Sequence, residues 1–312
     1  MELTILLLKK IITLLLMMLM GFLLVKQGKV KSEDCSVLSK LNVDWVIPCM
    51  IINSFITDNN TELIQSFGLA CVGVIISIFM CMGLTFLLRK PLHLNPSEQG
   101  SLMFSNSASM ALPLAASLLG EQSVIYCSPH MGMQNLFIFT VVPMLMSEKS
   151  SFNIKILFNR NIFAILFGVF LFVTQIQLPG IITDTLATVG GVTGPLCMFM
   201  IGMLMGGVDF KRLFQKKTLY LICALRLIVY PLIAILLIWA SGITRTLSYA
   251  GEVLMVVVMC VSCPAASLVT QLSDLYRSKE EARDTGSLNV MTTLLCSITM
   301  PIMIFIYQYL CM

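Results

Sequence analysis

The sequence predicts an all-α integral membrane protein of ten transmembrane helices, arranged as two inverted five-helix repeats with broken, crossing helices 4 and 9. Three observations lead there: the hydropathy, the one-sided placement of basic residues, and prolines that recur in corresponding spans.

Hydrophobic residues make up 57% of the chain and charged residues 12%, which excludes an ordinary soluble domain. Windows of about 20 residues, the length that crosses a bilayer as a helix, give ten spans: 4–25, 41–57, 65–88, 99–119, 123–146, 161–178, 181–207, 218–240, 247–271 and 286–309. Little chain is left over to house separate chemistry. Lys9 and Lys10 precede the run IITLLLMMLMGFLLV, but no small-residue cleavage site follows, so this segment reads as a retained first helix. The eleven cysteines are odd in number and fall mostly inside spans, as small apolar packing residues. Cys260 and Cys263 have CxxC spacing without a thioredoxin-like context.

Basic residues then set the orientation. The connections after spans 1, 3, 5, 7 and 9 hold sixteen lysines and arginines, among them Lys29, Lys40, Arg89, Lys149, Lys155, Arg160, Lys211, Arg212, Lys216 and Arg277. The connections after spans 2, 4, 6 and 8 hold Arg245 alone, so both termini are expected outside; Lys9 and Lys10 are the one local conflict, since they would sit at the outer surface or snorkel from it. The net charge of +4 therefore reports topology, and no aromatic-interleaved basic patch points to nucleic acid.

Prolines supply the repeat. Pro48 pairs with Pro195, Pro113 with Pro264 and Pro143 with Pro301, in spans 2 and 7, 4 and 9, 5 and 10, and LPLAASLLG echoes CPAASLVTQ. Five spans per half invert the second half, giving repeats at 1–146 and 161–312 joined by a cytoplasmic linker at 147–160.

Spans 4 and 9 are polar where they are broken. Ser105, Asn106, Ser107 and Ser109 precede Pro113, and Ser262, Ser267, Thr270 and Gln271 flank Pro264. If the breaks meet, two half-helix N-termini present unpaired N–H donors to one spot, where an anion can sit without a charged side chain. Ordinary proline kinks, with serines bonded to their own helices, are the alternative. Arg226, two turns into span 8, either attracts an anion, pairs with a carboxylate or snorkels to the surface. Asn135 beside Gln134, and Asn289, either line a pathway or bond between helices. His130 and His93 have no metal-ligand partner at useful spacing, so no metal is expected, and no cofactor motif appears. Phosphate-binding GxxxxGK[ST], HExxH and paired catalytic carboxylates are absent, so no catalytic residue is assigned.

At these residues the sequence resembles the auxin efflux carrier family of permeases, which includes bacterial malonate and malate transporters. MGFLLVKQGKVKSEDCSVLSKLNVDWVIPCMIINSF is similar to its first two helices, FSNSASMALPL to helix 4, TGPLCMFMIGMLMGG to helix 7, ALRLIVYPLI to helix 8 and CPAASLVTQLSDLY to helix 9. The resemblance carries over Asn106 as the helix-4 asparagine and Pro113 and Pro264 as the crossover; Asn106 then reads as a hydrogen-bond donor to substrate, and the serines beside the breaks, Ser105, Ser107, Ser262 and Ser267, as candidates to line the site. It also implies helices 1, 2, 6 and 7 as scaffold, helices 3–5 and 8–10 as transport unit, elevator-like alternating access, and a homodimer in the cell membrane. The expected activity is secondary transport of small organic anions, mono- or dicarboxylates, with H+ or Na+ as open coupling partners. A sodium-coupled symporter of a larger amphipathic acid is the nearer alternative, and a membrane-embedded enzyme the further one.

Overall fold

The computed structural model describes residues 2–56, 61–146, 160–207 and 217–312. The expected linker at 147–160, apart from Arg160, and the basic residues Lys149, Lys155, Lys211, Arg212 and Lys216 lie outside the described residues, as do the side chains of Lys9, Lys10 and Ser109.

The described residues are helical throughout, apart from connections and one short antiparallel contact. Helix α1 spans Glu2–Lys26; a continuous segment Ser32–Phe55 follows, holding α2 (Cys35–Leu41), a π turn (Asn42–Val46) and α3 (Ile47–Phe55). Next come α4 (Thr61–Leu88), α5 (Pro96–Met103), α6 (Ser107–Leu119), α7 (Val124–Met146) and α8 (Arg160–Thr174). Then α9 (Gly180–Gly191) and α10 (Thr193–Gly206) run nearly end to end. Another continuous segment holds α11 (Lys217–Ala224), a π turn (Leu225–Val229) and α12 (Tyr230–Ser241). The short α13 (Ile243–Thr246), α14 (Ala250–Val261), α15 (Ser267–Tyr276) and the long α16 (Lys279–Cys311) complete the chain. Each π turn is followed by a proline, Pro48 or Pro231, which has no N–H and crowds the preceding turn, so the helix widens there.

Five segments are long and apolar enough to cross a bilayer by themselves: Ser32–Phe55, Thr61–Leu88, Gly180–Met203, Thr218–Ser241 and Lys279–Cys311. The pairs α5/α6 and α14/α15 are different. At 1.5 Å per residue they measure about 12 and about 20 Å, and about 18 and about 15 Å. Each pair together therefore matches a hydrocarbon core about 30 Å thick, and its break falls at depth.

Helix ends depart from hydropathy where polar turns extend a helix beyond the lipid. The last span reads as 286–309, yet α16 begins at Lys279, because the Ser278 hydroxyl caps it by accepting from the Glu281 N–H at 3.2 Å. Arg277 locks that turn with a bidentate pair to Glu281, at 2.8 and 2.9 Å, which pushes the already high Arg277 pKa further up.

Two sets of contacts organise the helices. In the first, α1 lies along α10, and α3 packs on α8 and α9. Gly202 and Gly206, four apart on α10, turn their bare faces to α1, so a Cβ at Gly202 would strike the Met18 carbonyl oxygen. Small residues let backbones approach in lipid, where apolar burial gives no driving force of its own. Gly190 does the same for α3, since a Cβ there would lie 2.8 Å from the Met50 Cα. In the second set, α14 is central, packed by α4, α6, α7, α12 and α16. Its run VLMVVVMCV is apolar on every side and buried throughout, as a fully surrounded helix must be. Large apolar side chains such as Leu23, Phe79, Phe163, Leu166 and Ile298 are exposed, and form the lipid-facing surface.

Candidate functional site

The two interrupted helices meet. α5 ends as Phe104 turns extended, at φ −120° and ψ 141°, and α14 gives way to the extended run that ends at Ala266. Ser105 and Ala265 then face each other in an antiparallel bridge. Asn106 N–H donates to the Pro264 carbonyl at 2.8 Å, and Ala266 N–H to the Phe104 carbonyl at 3.1 Å. Pro264 therefore sits in the break, as the sequence indicates. Pro113 does not: it lies inside α6, two turns past the break at Phe104–Asn106. The expectation that Pro113 opens helix 4 is corrected, because the interruption comes from pairing with a distant segment and not from a missing N–H.

The outward edges of this small ladder are closed by side chains. Ser105 N–H donates to Gln134 Oε1 at 3.0 Å, and Gln134 Nε2 donates to the Ser105 carbonyl, so one amide on α7 holds both backbone polar groups of one residue. The Ser105 hydroxyl donates to the same Oε1 at 2.8 Å and stands 3.1 Å from His130 Nε2. Across the crossing, α16 does the corresponding work: Ala265 N–H donates to Thr292 Oγ1 at 3.2 Å, and Asn289 Nδ2 donates to the Ala265 carbonyl at 3.2 Å. Every extended peptide group at the bridge is thus satisfied inside the protein, which a break within lipid requires.

Arg226 completes the crossing from the other side. It is 1% exposed, where an unpartnered charge at mid-span costs about 2.5–3.5 kcal/mol or more. Its Nε donates to the Cys263 carbonyl at 3.2 Å and its Nη1 to the Leu102 carbonyl at 3.1 Å. Arg226 therefore neither snorkels nor pairs with a carboxylate among the described residues, and it lines neither cavity described below.

On the opposite side, the first turns of α6 and α15 open onto two cavities, of about 270 and about 340 Å³. Asn106 and Ser267 line both, and Asn106 Nδ2 donates to Ser267 Oγ at 3.3 Å, so this pair stands between them. Ser107, the first residue of α6, and Asn135 line the first cavity, with Lys40 and Asp44 at its wall. Asp44 is paired with Arg160 at 3.5 Å. Asn289 reaches the second cavity while holding the crossing. Ser105 borders the first cavity, but its hydroxyl is turned to His130 and Gln134. Ser262 lines neither: it is fully buried and its hydroxyl donates back to Val258 at 2.7 Å, the self-bonding that the kink alternative describes. Pro113 borders a separate cavity of about 170 Å³ together with Glu121.

Sequence reasoning missed Thr292, Lys40 and the clamping role of Gln134. The available signal was positional: Gln134 and Asn289 are amides at depth in the helix that follows each broken one, where an unpaired amide is expensive.

These features define a class: a multi-pass helical membrane protein with two interrupted helices whose breaks pair with each other. A family model for membrane transport proteins matches residues 6–151 and 148–304, and the chain belongs to that family, the auxin efflux carrier-like membrane transporters. An uncharacterized transporter of Methanothermobacter thermautotrophicus is similar to it at 23% identity over 302 residues, which cover 94% of this chain and 95% of the relative.

Proposed function

We propose that this membrane transporter is a secondary carrier of small organic anions, mono- or dicarboxylates, which bind beside the crossing. The observation that carries this reading is the convergence of the α6 and α15 N-termini on cavities shared by Asn106 and Ser267. Each N-terminus carries about half a positive charge, and two of them complement one carboxylate. Asn106 is the side chain placed to donate to that carboxylate, Ser107 and Ser267 are at its margins, and Lys40 adds attraction from the wall.

The inverted repeat is part of the proposal. Ser105 faces Ala265, Ser107 and Ser267 each open a half-helix, and the following helices α7 and α16 each supply a supporting amide. This register relates positions 160 apart at the crossing, whereas Pro113 and Pro264 are 151 apart. In this reading α1, α3, α8, α9 and α10 are the scaffold, and the helices around α14 are the unit that moves past it in an elevator-like cycle. The protein works as a homodimer in the cell membrane with both termini outside. Because Lys40 and Asp44 border the first cavity, the site then opens toward the side of the basic connections.

The test is uptake of a panel of labelled mono- and dicarboxylates by proteoliposomes, with and without imposed gradients. Accumulation that collapses when the vesicles are made leaky supports the carrier. Chemical conversion of substrate in detergent, with no sealed compartment, overturns it in favour of an embedded enzyme.

A further inference from the structure

Among the described residues, Arg226 is a buried charge that the anion site does not use. Ion pairs form elsewhere, at Arg160 with Asp44 and Arg277 with Glu281, and among the described residues no carboxylate meets the Arg226 guanidinium. Beside the Cys81 side chain, it meets carbonyl oxygens at two helix ends: Leu102 in the last turn of α5, and Cys263 just past α14. These residues lie 124 and 37 positions away in the chain, so the guanidinium ties together two segments that no local structure joins.

The charges balance. A helix C-terminus carries about half a negative charge. The ends of α5 and α14 thus sum to about one, against the single positive charge of an arginine that stays protonated. The π turn at Leu225–Val229 helps to set this up, since the wider turn and Pro231 after it shift where the Arg226 side chain leaves the helix. The neighbouring Tyr230 is fixed by a 2.9 Å bond between its hydroxyl and Thr85 Oγ1 on α4.

Carriers with interrupted helices hold a coupling cation with unwound carbonyls and half-helix C-termini. Here the ends of that kind are already occupied by a side chain. We infer that Arg226 is a tethered cation, a positioning residue that fills the place where the two half-helix C-termini meet, and that the carrier consequently completes its cycle without sodium. The inference rests on the anion-carrier reading for the word cycle, but its physical core concerns the crossing alone. With Arg226 removed, two electronegative helix ends face each other unneutralised, and a small cation gains a vacant place between them.

The experiment has two arms. In the first, the purified full chain without substrate is unfolded by heat in detergent, in sodium chloride and in choline chloride. The wild type should unfold at the same temperature in both salts. Arg226→Ala should unfold at a lower temperature and be raised by sodium, and further by millimolar guanidinium, relative to choline; a purely space-filling role would give the loss without the cation response. In the second arm, wild-type proteoliposomes should take up an accepted carboxylate at rates within about twofold when choline replaces sodium, while Arg226→Ala loses at least about tenfold and recovers in part with guanidinium. Arg226→Lys, which keeps the charge, should retain sodium-independent uptake, and it serves with the wild type if Arg226→Ala cannot be purified. Sodium dependence in the wild type, or an Arg226→Ala protein indifferent to both cations, overturns the inference. Failure of every carboxylate to be taken up removes the carrier reading, and the unfolding arm still decides the role of Arg226.

Discussion

Replacing Gln134 by leucine isolates the clamp that holds helix 4 open. Leucine has nearly the same size, so no large cavity forms, but the Ser105 N–H and C=O lose the amide that satisfies them. Each buried backbone group left unpaired costs about 1–3 kcal/mol, so the pair costs about 2–6 kcal/mol. Hydrogen bonds between helices in membranes average about 0.6 kcal/mol, which sets a floor near 1 kcal/mol for two. The Ser105 hydroxyl keeps His130 as a partner, so its loss adds little. The matched control is Asn135→Leu, one residue on, whose side chain faces the first cavity and should cost less than about 1 kcal/mol. Unfolding of the purified variants in graded denaturing detergent measures both. A Gln134→Leu protein as stable as Asn135→Leu would refute the reasoning that this one amide holds the break.

Other substitutions read different parts of the structure. Asn106→Ala should abolish uptake with membrane insertion intact, measured by transport alongside surface labelling; normal uptake by a well-inserted variant removes Asn106 from the site. Pro113→Ala should leave the crossing and uptake near wild type, since that residue stands two turns inside α6; a collapse of transport comparable to that of Asn106→Ala would return the break to Pro113. Gly202→Leu should lower stability by about 1–3 kcal/mol or more through overpacking, because even a Cβ there meets the Met18 carbonyl, and wild-type stability would show that α1 and α10 separate without cost.

Much of this was legible in the chain. Continuous apolar runs such as 65–88 announce α4 directly, because in lipid the backbone must satisfy itself and a helix is the simplest way to do so. Asn106 and Ser267 were legible as polar residues beside a break. The position of the first break was not, since nothing in Phe104–Ser105–Asn106 forbids a helix, and the extended backbone there depends on Pro264–Ala266 and Gln134. A proline is visible in sequence and a tertiary hydrogen bond is not, so Pro113 drew the assignment. Arg226 posed the same difficulty: its cost could be estimated from depth, but its compensation comes from carbonyls, which every residue possesses and no sequence pattern marks. Ser262 shows the limit of composition, since a serine at depth bonds as readily to its own helix as to a ligand.

The central claim is that an anion is held between the first turns of α6 and α15, against Asn106. The most direct measurement is a structure of the protein with a bromine-substituted carboxylate drawn from the transported set, located by the anomalous signal of the bromine. The account predicts that signal in the cavities shared by Asn106 and Ser267, with carboxylate density facing the Ser107 and Ser267 ends. A transported carboxylate found bound elsewhere, with those cavities empty, would contradict it.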